Sequence, residues 1–191
     1  MGALPTPRYP ARPRKVKQNP PRAAARHRGL YDVNYRPSLW RASGGPEAHR
    51  RLTTELVDLV DVLFGVDATS FDDDVEHFTS SSSALTVVAT THRTVRSASV
   101  QDWIGIAWSR ETGRLDGAMH EQLQVLDRVG SGDAFAAGVV HGALTGRSLA
   151  EALDLGIAHG ALVMTTPGDT SSADAADVDD LALGRDAGVV R

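Results

Sequence analysis

The feature of this sequence that most constrains its fold is a serine between two glycines, placed directly before a helix of small residues. Gly130, Ser131 and Gly132 lead into AFAAGVVHGALTG, which predicts a helix ending at Gly146, a C′ glycine. N–H groups that begin such a helix, unshielded by side chains, form an anion site that the helix dipole reinforces. Asp133 lies in the first turn, where a carboxylate beside a bound phosphate suits the base of phosphoryl transfer. The alternative is an ordinary helix-start acid that follows turn glycines.

The charge of the chain is divided between two unlike regions. Residues 1–30 hold eight of the 20 Lys+Arg and no acid, so the remaining residues carry 12 basic against 24 acidic side chains, a balance of −12. Residues 1–28 also contain six of the nine prolines and too few apolar side chains for a core, so we expect a disordered tail. A tether for nucleic acid or another anionic surface and an extension without function are both open for it. The lack of interleaved aromatic residues does not favour nucleic acid.

The composition excludes several classes of protein. The 191 residues include no cysteine, which excludes disulfides, thiolate metal sites and cysteine nucleophiles. No apolar run approaches the ~20 residues of a membrane helix, and the mean hydropathy is −0.21, so no membrane partner is expected. The seven histidines lack metal-ligand spacing and the Walker A glycine–lysine motif is absent, so neither a zinc site nor a Walker-type nucleotide site is predicted.

The order of the predicted elements indicates an α/β fold. A short strand at residues 29–35 is followed by a helix from Pro46, with one apolar face formed by Leu52, Leu56, Leu59 and Val60. A buried strand at 61–64, a helix at 68–79, a strand at 84–91 and one or two strands within 95–108 come next. Ser148 and Glu151 form a capping box that opens a helix to about Met164. Strands alternating with helices predict a layered domain with a mostly parallel sheet, and Trp103 and Trp108 are predicted to lie in its core.

Four motifs, in this order along the chain, resemble those of the ribokinase-like (PfkB) carbohydrate kinases. They are DVNYRPSLW at 32–40, ATTHRT at 89–94, DRVGSGDAF at 127–135 and GALVMTTPGD at 160–169. The branch they resemble most is that of the 2-dehydro-3-deoxygluconokinases. The resemblance extends from Gly29 to Arg191 and covers only the C-terminal part of the family. It implies a three-layer α/β sandwich from which the family's N-terminal strands and small β lid are missing.

The resemblance also implies a reaction and a set of site residues. The reaction is transfer of the γ-phosphate of ATP to the terminal hydroxyl of a 2-keto-3-deoxy sugar acid. Asp133 would be the general base, and the N–H groups of residues 130–132 would form the anion hole. The other implied residues are Arg36, Asn34 and Asp169 at the sugar acid, and Thr91, Arg93 and Thr94 at the nucleotide. Mg²⁺ is expected beside ATP, because it offsets triphosphate charge, although the sequence identifies no ligand set for it.

Several alternatives stay open at this stage. Asp32 could simply end a strand, Arg36 could pair with a core carboxylate, and Asp169 could be a turn acid. Val66 stands where the family has an Asn-x-x-Glu motif associated with magnesium and phosphate, and a valine cannot ligate a hard cation. A kinase must hold both substrates in line, and the resemblance covers only the C-terminal part of the family. The alternative function is therefore a non-catalytic remnant that at most binds nucleotide. Expected partners are a sugar acid and ATP in the cytoplasm, with a homo-oligomer open and nucleic acid not favoured.

Overall fold

The computed structural model describes residues 29–41, 43–168 and 170–184. The predicted basic tail, residues 1–28, and the predicted sugar-acid residue Asp169 therefore lie outside the described residues. Within the described ranges, no helix combines the length and the apolar character needed to span a bilayer.

The described chain alternates strands with helices, as the sequence predicts. The strands are β1 Leu30–Asp32, β2 Val62–Phe64, β3 Val87–Val95, β4 Val100–Ser109, β5 Gly113–Asp116 and β6 His120–Gln124. The helices are α1 Pro37–Trp40, α2 Gly45–Leu56, α3 Phe71–Ser81, α4 Ser131–Leu144, α5 Leu149–Met164 and α6 Ala175–Ala182. Short 3-10 turns at Val57–Leu59 and Ala68–Ser70 follow α2 and precede α3. The sequence pattern does not predict α1, β5, β6 or α6.

The sheet has the strand order β1-β2-β3-β4-β5, and β6 also pairs with β4. β1, β2 and β3 are parallel, whereas β4 is antiparallel to β3, β5 and β6. The connection between β3 and β4 spans only residues 96–99, and a parallel crossover needs a dozen or more residues, so this pair must be antiparallel. The α/β class is confirmed, and parallel pairing is confined to β1–β3. The carboxyl ends of those three strands therefore meet at one edge of the sheet.

Helices cover both faces of the sheet and give the predicted three layers. Successive residues of a strand point to opposite faces, so each central strand contributes to two apolar clusters. The first cluster packs against α3 and contains Leu63, Val88, Ile106, Phe71, Val75 and Phe78. The second packs against α4 and α5 and contains Phe64, Ala89, Ala107, Phe135, Val139 and Ile157. Trp103 belongs to this second cluster, where its indole N–H donates to the carbonyl oxygen of Ile157 over 3.1 Å.

The predicted apolar face of the helix after Pro46 is wrong in part. Val60 packs against the first cluster and Leu56 is half-buried, but Leu52 is 39% exposed and Leu59, beyond the end of α2, is 74% exposed. His49 and Thr53 of α2 are buried, so the helix turns toward the core a face that carries a histidine and a threonine. The spacing of apolar residues favours the face that carries the leucines. It cannot indicate a buried polar face, because His49 is buried by the rings of Tyr35 and Trp40, which lie outside the helix.

Helices α4 and α5 lie in backbone contact. A Cβ atom at Gly138 would lie 2.7 Å from both the Cα atom of Gly156 and the carbonyl oxygen of Leu155. The predicted capping box of α5 is confirmed, with Ser148 and Glu151 each bonding the other's backbone. The predicted C′ glycine of α4 is confirmed as well, since Gly146 has a φ of 76°. Small residues thus let the helix that starts at Ser131 approach its neighbour closely.

Candidate active site

A cleft of ≈ 710 Å³ opens at the carboxyl ends of the parallel strands. Its walls come from the end of β1, the segment after β2, the middle of β3, and the loop that leads into α4. In open α/β sheets the crevice outside the carboxyl ends of the strands is the usual place for a ligand. The architecture therefore places the candidate site where the loops of several elements meet.

The loop before α4 leaves the first N–H groups of that helix open. Gly130 is its N-cap, has a left-handed φ of 82° and supplies no side-chain cap. The hydroxyl of Ser131 donates to the carbonyl oxygen of Arg128 over 3.0 Å, which turns this side chain back into the loop. A Cβ atom at Gly132 would meet nothing within 4 Å. Since N–H groups in the first helical turn have no partner within the helix, this arrangement suits an anion.

Asp133 is exposed in the first turn of α4 and lines the same cleft. Its backbone belongs to the helix start whose N–H groups suit an anion, and its side chain is exposed at the cleft. A carboxylate in that place can accept a proton from a hydroxyl that attacks a bound phosphate. The role of general base that the motif implies for Asp133 stays a prediction.

Asp127 and helix α5 fix the loop that forms the anion site. The side chain of Asp127 accepts the N–H of Val129 over 3.0 Å, and this bond, helped by the N–H groups of Arg128 and Gly168, lowers the pKa of Asp127. The carbonyl oxygen of Met164, at the end of α5, accepts the N–H groups of residues 126 and 127. An aspartate that bonds an N–H two residues later is a recurrent turn device, and the sequence analysis overlooked that signal here.

Helix α5 also contacts the other end of the loop. A Cβ atom at Gly160 would lie 3.1 Å from the carbonyl oxygen of Ser131 and 2.8 Å from the ring of Trp103. Only a glycine allows this approach without displacement of the loop or the buried indole. The start of α4 is thereby set by backbone contact with α5.

The segment after β1 brings Asn34 and Arg36 together. Asp32 accepts the N–H of Asn34 over 2.9 Å, and Asn34 has a left-handed φ of 39°. The Nε atom of Arg36 donates to the side-chain oxygen of Asn34 over 3.3 Å. Gly65, with a φ of 75°, leaves room for the Asp32 carboxylate, because a Cβ atom there would lie 2.7 Å from it. The side chains of Asn34 and Arg36 are both exposed at the cleft. The remaining N–H groups of the Arg36 guanidinium can therefore donate to a ligand carboxylate.

The segment after β2 and the middle of β3 form the opposite wall. The hydroxyl of Thr90 donates to the carbonyl oxygen of Val66 over 2.6 Å and joins the two strands. Val66 itself is buried in the core, while Asp67 presents its carboxylate to the cleft. Hydrogen bonds from the N–H and hydroxyl of Thr69 lower the pKa of Asp67, and nearby His92 adds a smaller effect in the same direction.

The structure brings most of the predicted site residues into one cleft. Those that line it are Asn34, Arg36, Thr91, Arg93, Gly130, Ser131, Gly132 and Asp133. Thr94 is the exception among the described residues, because it lies further along β3, paired with Asp102 of β4. Six further polar residues line the cleft and are not among the predicted site residues: Asp32, Tyr35, Asp67, Thr90, His92 and Arg128. All of them except Asp67 lie inside the motifs that carry the resemblance, so the sequence does give a signal for them.

The cleft contains carboxylates but no ready-made metal cage. Asp32, Asp67 and Asp133 line it, yet the described residues contain no group of three acidic or histidine side chains placed to hold one ion. Mg²⁺ in nucleotide sites is commonly bound by one or two carboxylates together with phosphates and water. The residues present fit that mode of binding rather than a site built from protein ligands alone.

Comparison with known proteins agrees with this geometry. Residues 105–176, which include the anion loop and helices α4 and α5, match the family model of the pfkB family carbohydrate kinases. The resemblance to the PfkB family is confirmed. No curated protein sequence gives a significant match.

Solved structures show the same fold. A PfkB family carbohydrate kinase from Listeria grayi is 27% identical and superposes with a TM-score of 0.71, covering 81% of this chain and 49% of its own. The 2-dehydro-3-deoxygluconokinase from Thermotoga maritima is 23% identical, with a TM-score of 0.68 and coverage of 81% and 50%. An E. coli protein in complex with ATP and Mg²⁺ is 16% identical, with a TM-score of 0.58 and coverage of 81% and 47%. The chain spans about half the length of these PfkB-like structures.

Proposed function

We propose that this protein is an ATP-dependent carbohydrate kinase that phosphorylates a 2-keto-3-deoxy sugar acid. The observation that carries the proposal is the placement of Asp133 directly after the open N–H groups of residues 130–132, in one cleft with Arg36. A base, an anion site and a cation for a substrate carboxylate are the groups that this transfer needs. The family match and the Thermotoga maritima structure support the choice of reaction and of substrate class.

The residues divide the reaction between them. The guanidinium of Arg36 would bind the carboxylate of the sugar acid, with Asn34 holding the guanidinium by its Nε atom. The carboxylate of Asp133 would take the proton from the terminal hydroxyl as its oxygen bonds to the γ-phosphorus and the bond to the β-phosphate oxygen breaks, releasing ADP. The N–H groups of residues 130–132 would stabilise the charge on the transferred phosphoryl group.

Mg²⁺ bound to the phosphates would neutralise their charge, with Asp67 or Asp32 available as an oxygen ligand. Thr91 and Arg93 would contact the nucleotide from β3, since both line the cleft beside the anion loop. Arg128 also lines the cleft and would add a further positive charge near the phosphates; one N–H group of its guanidinium donates to the carbonyl oxygen of Ala98 over 3.2 Å.

A second candidate function is nucleotide binding without turnover. It is favoured by the observation that the chain spans about half the length of the solved kinases it matches. Phosphoryl transfer depends mainly on positioning of both substrates, so a partial set of contacts can bind a nucleotide without catalysing transfer.

A coupled assay separates the two functions. The full chain is incubated with ATP, Mg²⁺ and 2-keto-3-deoxygluconate, and release of ADP is compared between wild type and Asp133→Asn. Asp73→Asn is the matched control, because Asp73 is an exposed acid in the first turn of α3, away from the cleft. The proposal expects ADP release that Asp133→Asn abolishes and Asp73→Asn leaves intact. Sugar-dependent release that survives Asp133→Asn refutes the base, and saturable ATP binding without release supports the second function.

A further inference from the structure

A second cavity, separate from the cleft, lies between α2 and α3. This α2–α3 cavity has a volume of ≈ 480 Å³ and reaches from Glu47 and Thr53 of α2 to Asp74 and Phe78 of α3. It shares a wall with the cleft, because Tyr35 and residues 65–67 line both. Neither the family motifs nor the proposed reaction uses the residues of α2 and α3.

One polar atom in this cavity has no partner. Thr53 is 1% exposed, and its hydroxyl has no hydrogen-bond partner in the structure. The next residue, Thr54, shows the ordinary solution for a helical threonine, since its hydroxyl donates to the carbonyl oxygen of Arg50 over 2.9 Å. A buried polar group without a partner costs free energy, so a ligand atom that bonds this hydroxyl would offset that cost.

The polar groups around the cavity are mainly acceptors. Glu47, Asp67 and Asp74 line it, against the single guanidinium of Arg50. Both oxygens of Asp74 already accept hydrogen bonds, one from Arg50 over 2.6 Å and one from the Ser70 hydroxyl over 3.0 Å, so the negative charge that a ligand can meet is that of Glu47 and Asp67. The Nε2 atom of His49 lies 3.3 Å from the carbonyl oxygen of Val33 and must be the donor there. A neutral ring with its proton on Nε2 presents Nδ1 as a further acceptor. This balance favours a ligand that carries hydrogen-bond donors and positive charge.

The remaining surface is apolar and aromatic. Phe78 and Val66 are buried beside the cavity, and Tyr35 closes one side of it. The guanidinium of Arg50 already lies over the Phe78 ring, 5.7 Å from its centroid. Aromatic rings attract cations through their faces and also accommodate a short hydrocarbon chain.

We propose that the α2–α3 cavity binds a small organic ammonium ion, with its charge facing the carboxylates and its hydrocarbon part against the aromatic side chains. The Thr53 hydroxyl would bond the ligand's polar end. This site adjoins the proposed kinase site and shares Tyr35 and residues 65–67 with it. Its occupancy requires neither ATP nor phosphoryl transfer.

The test is an NMR titration of the full ¹⁵N-labelled chain with three probes that share one skeleton. Butylammonium, 1-butanol and butyrate are compared at constant ionic strength and without nucleotide. The proposal expects saturable shifts of backbone signals in α2 and α3 with butylammonium and no binding of butyrate. Butanol should bind about tenfold more weakly than butylammonium, because it lacks the charged hydrogen-bond donor. Equal binding of butylammonium and butyrate, or shifts that do not saturate, would overturn it.

Variants show whether the named residues form the site. Thr53→Val removes the unpartnered hydroxyl at nearly constant volume, and Glu47→Gln removes one charge at an exposed position. Each should weaken butylammonium binding several-fold, whereas the matched controls Thr54→Val and Glu55→Gln should leave it unchanged. Glu47→Gln gives a readout even if Thr53→Val does not fold. Binding that neither variant changes would also refute the proposal.

Discussion

The Nε2 atom of His49 lies 3.3 Å from the carbonyl oxygen of Val33, so a helix on one face of the sheet holds the segment that follows β1. The ring of His49 also contacts Tyr35 and Trp40 edge-on, with centroids 4.8 and 4.7 Å away. Only 7% of the surface of His49 is exposed, so little water competes for these contacts. The segment it holds carries the two residues proposed to meet the sugar acid.

His49→Phe should therefore destabilise the protein although it keeps an aromatic ring at this position. The substitution preserves the edge-on contacts but leaves the carbonyl oxygen of Val33 without its side-chain donor. The free energy of unfolding should fall by about 1–3 kcal/mol, the usual cost of a buried polar group that loses its partner. Urea unfolding followed by circular dichroism measures it. His141→Phe, at an exposed position of α4, is the control, and equal losses for both variants would contradict the prediction.

Gly138→Ala should destabilise the α4–α5 pair. The new Cβ atom would lie 2.7 Å from the Cα atom of Gly156, and backbone atoms cannot move aside as a flexible side chain can. Overpacking of this kind costs about 1–3 kcal/mol, more than the gain of up to ~1 kcal/mol in helix propensity. Thermal unfolding compares it with Gly132→Ala, where the added methyl group meets open space and stability should not fall. Unchanged stability of Gly138→Ala would show that the helices can separate at no cost.

His159→Gln should reduce the loss of stability at mildly acidic pH. Burial in α5 lowers the pKa of His159, so the folded protein disfavours the charged ring that the unfolded chain accepts below pH ~6.5. The unfolded state then binds more protons, and the free energy of unfolding decreases as the pH falls through and below that value. The melting temperature should drop less between pH 7.5 and 5.5 in the variant than in wild type.

A second variant checks the cause of that pH effect. Burial also lowers the pKa of His120, so His120→Gln should remove a further part of the drop in melting temperature. The two effects should add in the double variant. An undiminished drop in the double variant would mean that other groups cause the acid sensitivity.

Thr91→Val and Thr94→Val should affect nucleotide binding differently. Both residues belong to the motif in β3, but only Thr91 lines the cleft. Calorimetric titration with Mg²⁺ and a non-hydrolysable ATP analogue should show about fivefold weaker binding for Thr91→Val, the loss of roughly one hydrogen bond. Thr94→Val should bind as wild type does. A larger effect at Thr94 would contradict the boundary of the cleft.

The fold was predictable from the sequence where local chemistry decides the structure. The capping box at Ser148, the glycine after α4 and the β-branched run that forms β3 each specify an element by themselves. β5 escaped prediction because its alternation of half-buried and exposed residues extends over only four residues with one large apolar side chain, Leu115. β6 escaped it because its residues are polar except for Leu123 and show no alternation. Their pairing with β4 supplies what their sequences do not indicate.

The candidate site, like the fold, is predictable where one continuous stretch of sequence specifies it. The anion loop and Asp133 were found because one continuous motif contains them. Tyr35 and His92 lie inside two of the motifs, but a motif does not indicate which of its side chains face a cleft. Asp67 lies outside the motifs, and only the parallel register of β1–β3 places it at the same edge. Thr94 belongs to the predicted site residues because it ends the same motif as Thr91. It does not line the cleft, because β3 runs away from the cleft before that residue.

Helix α5 contacts the anion loop at both ends, through the carbonyl oxygen of Met164 and through the close approach of Gly160 to Ser131. The number of loop residues between these two contacts is therefore fixed. One inserted or deleted residue would rotate the N-terminus of α4 away from the proposed substrate. The exposed turn at residues 145–147 lies at the other end of α4, away from the anion loop. Changes in chain length during the divergence of such proteins should collect in that turn and spare the loop.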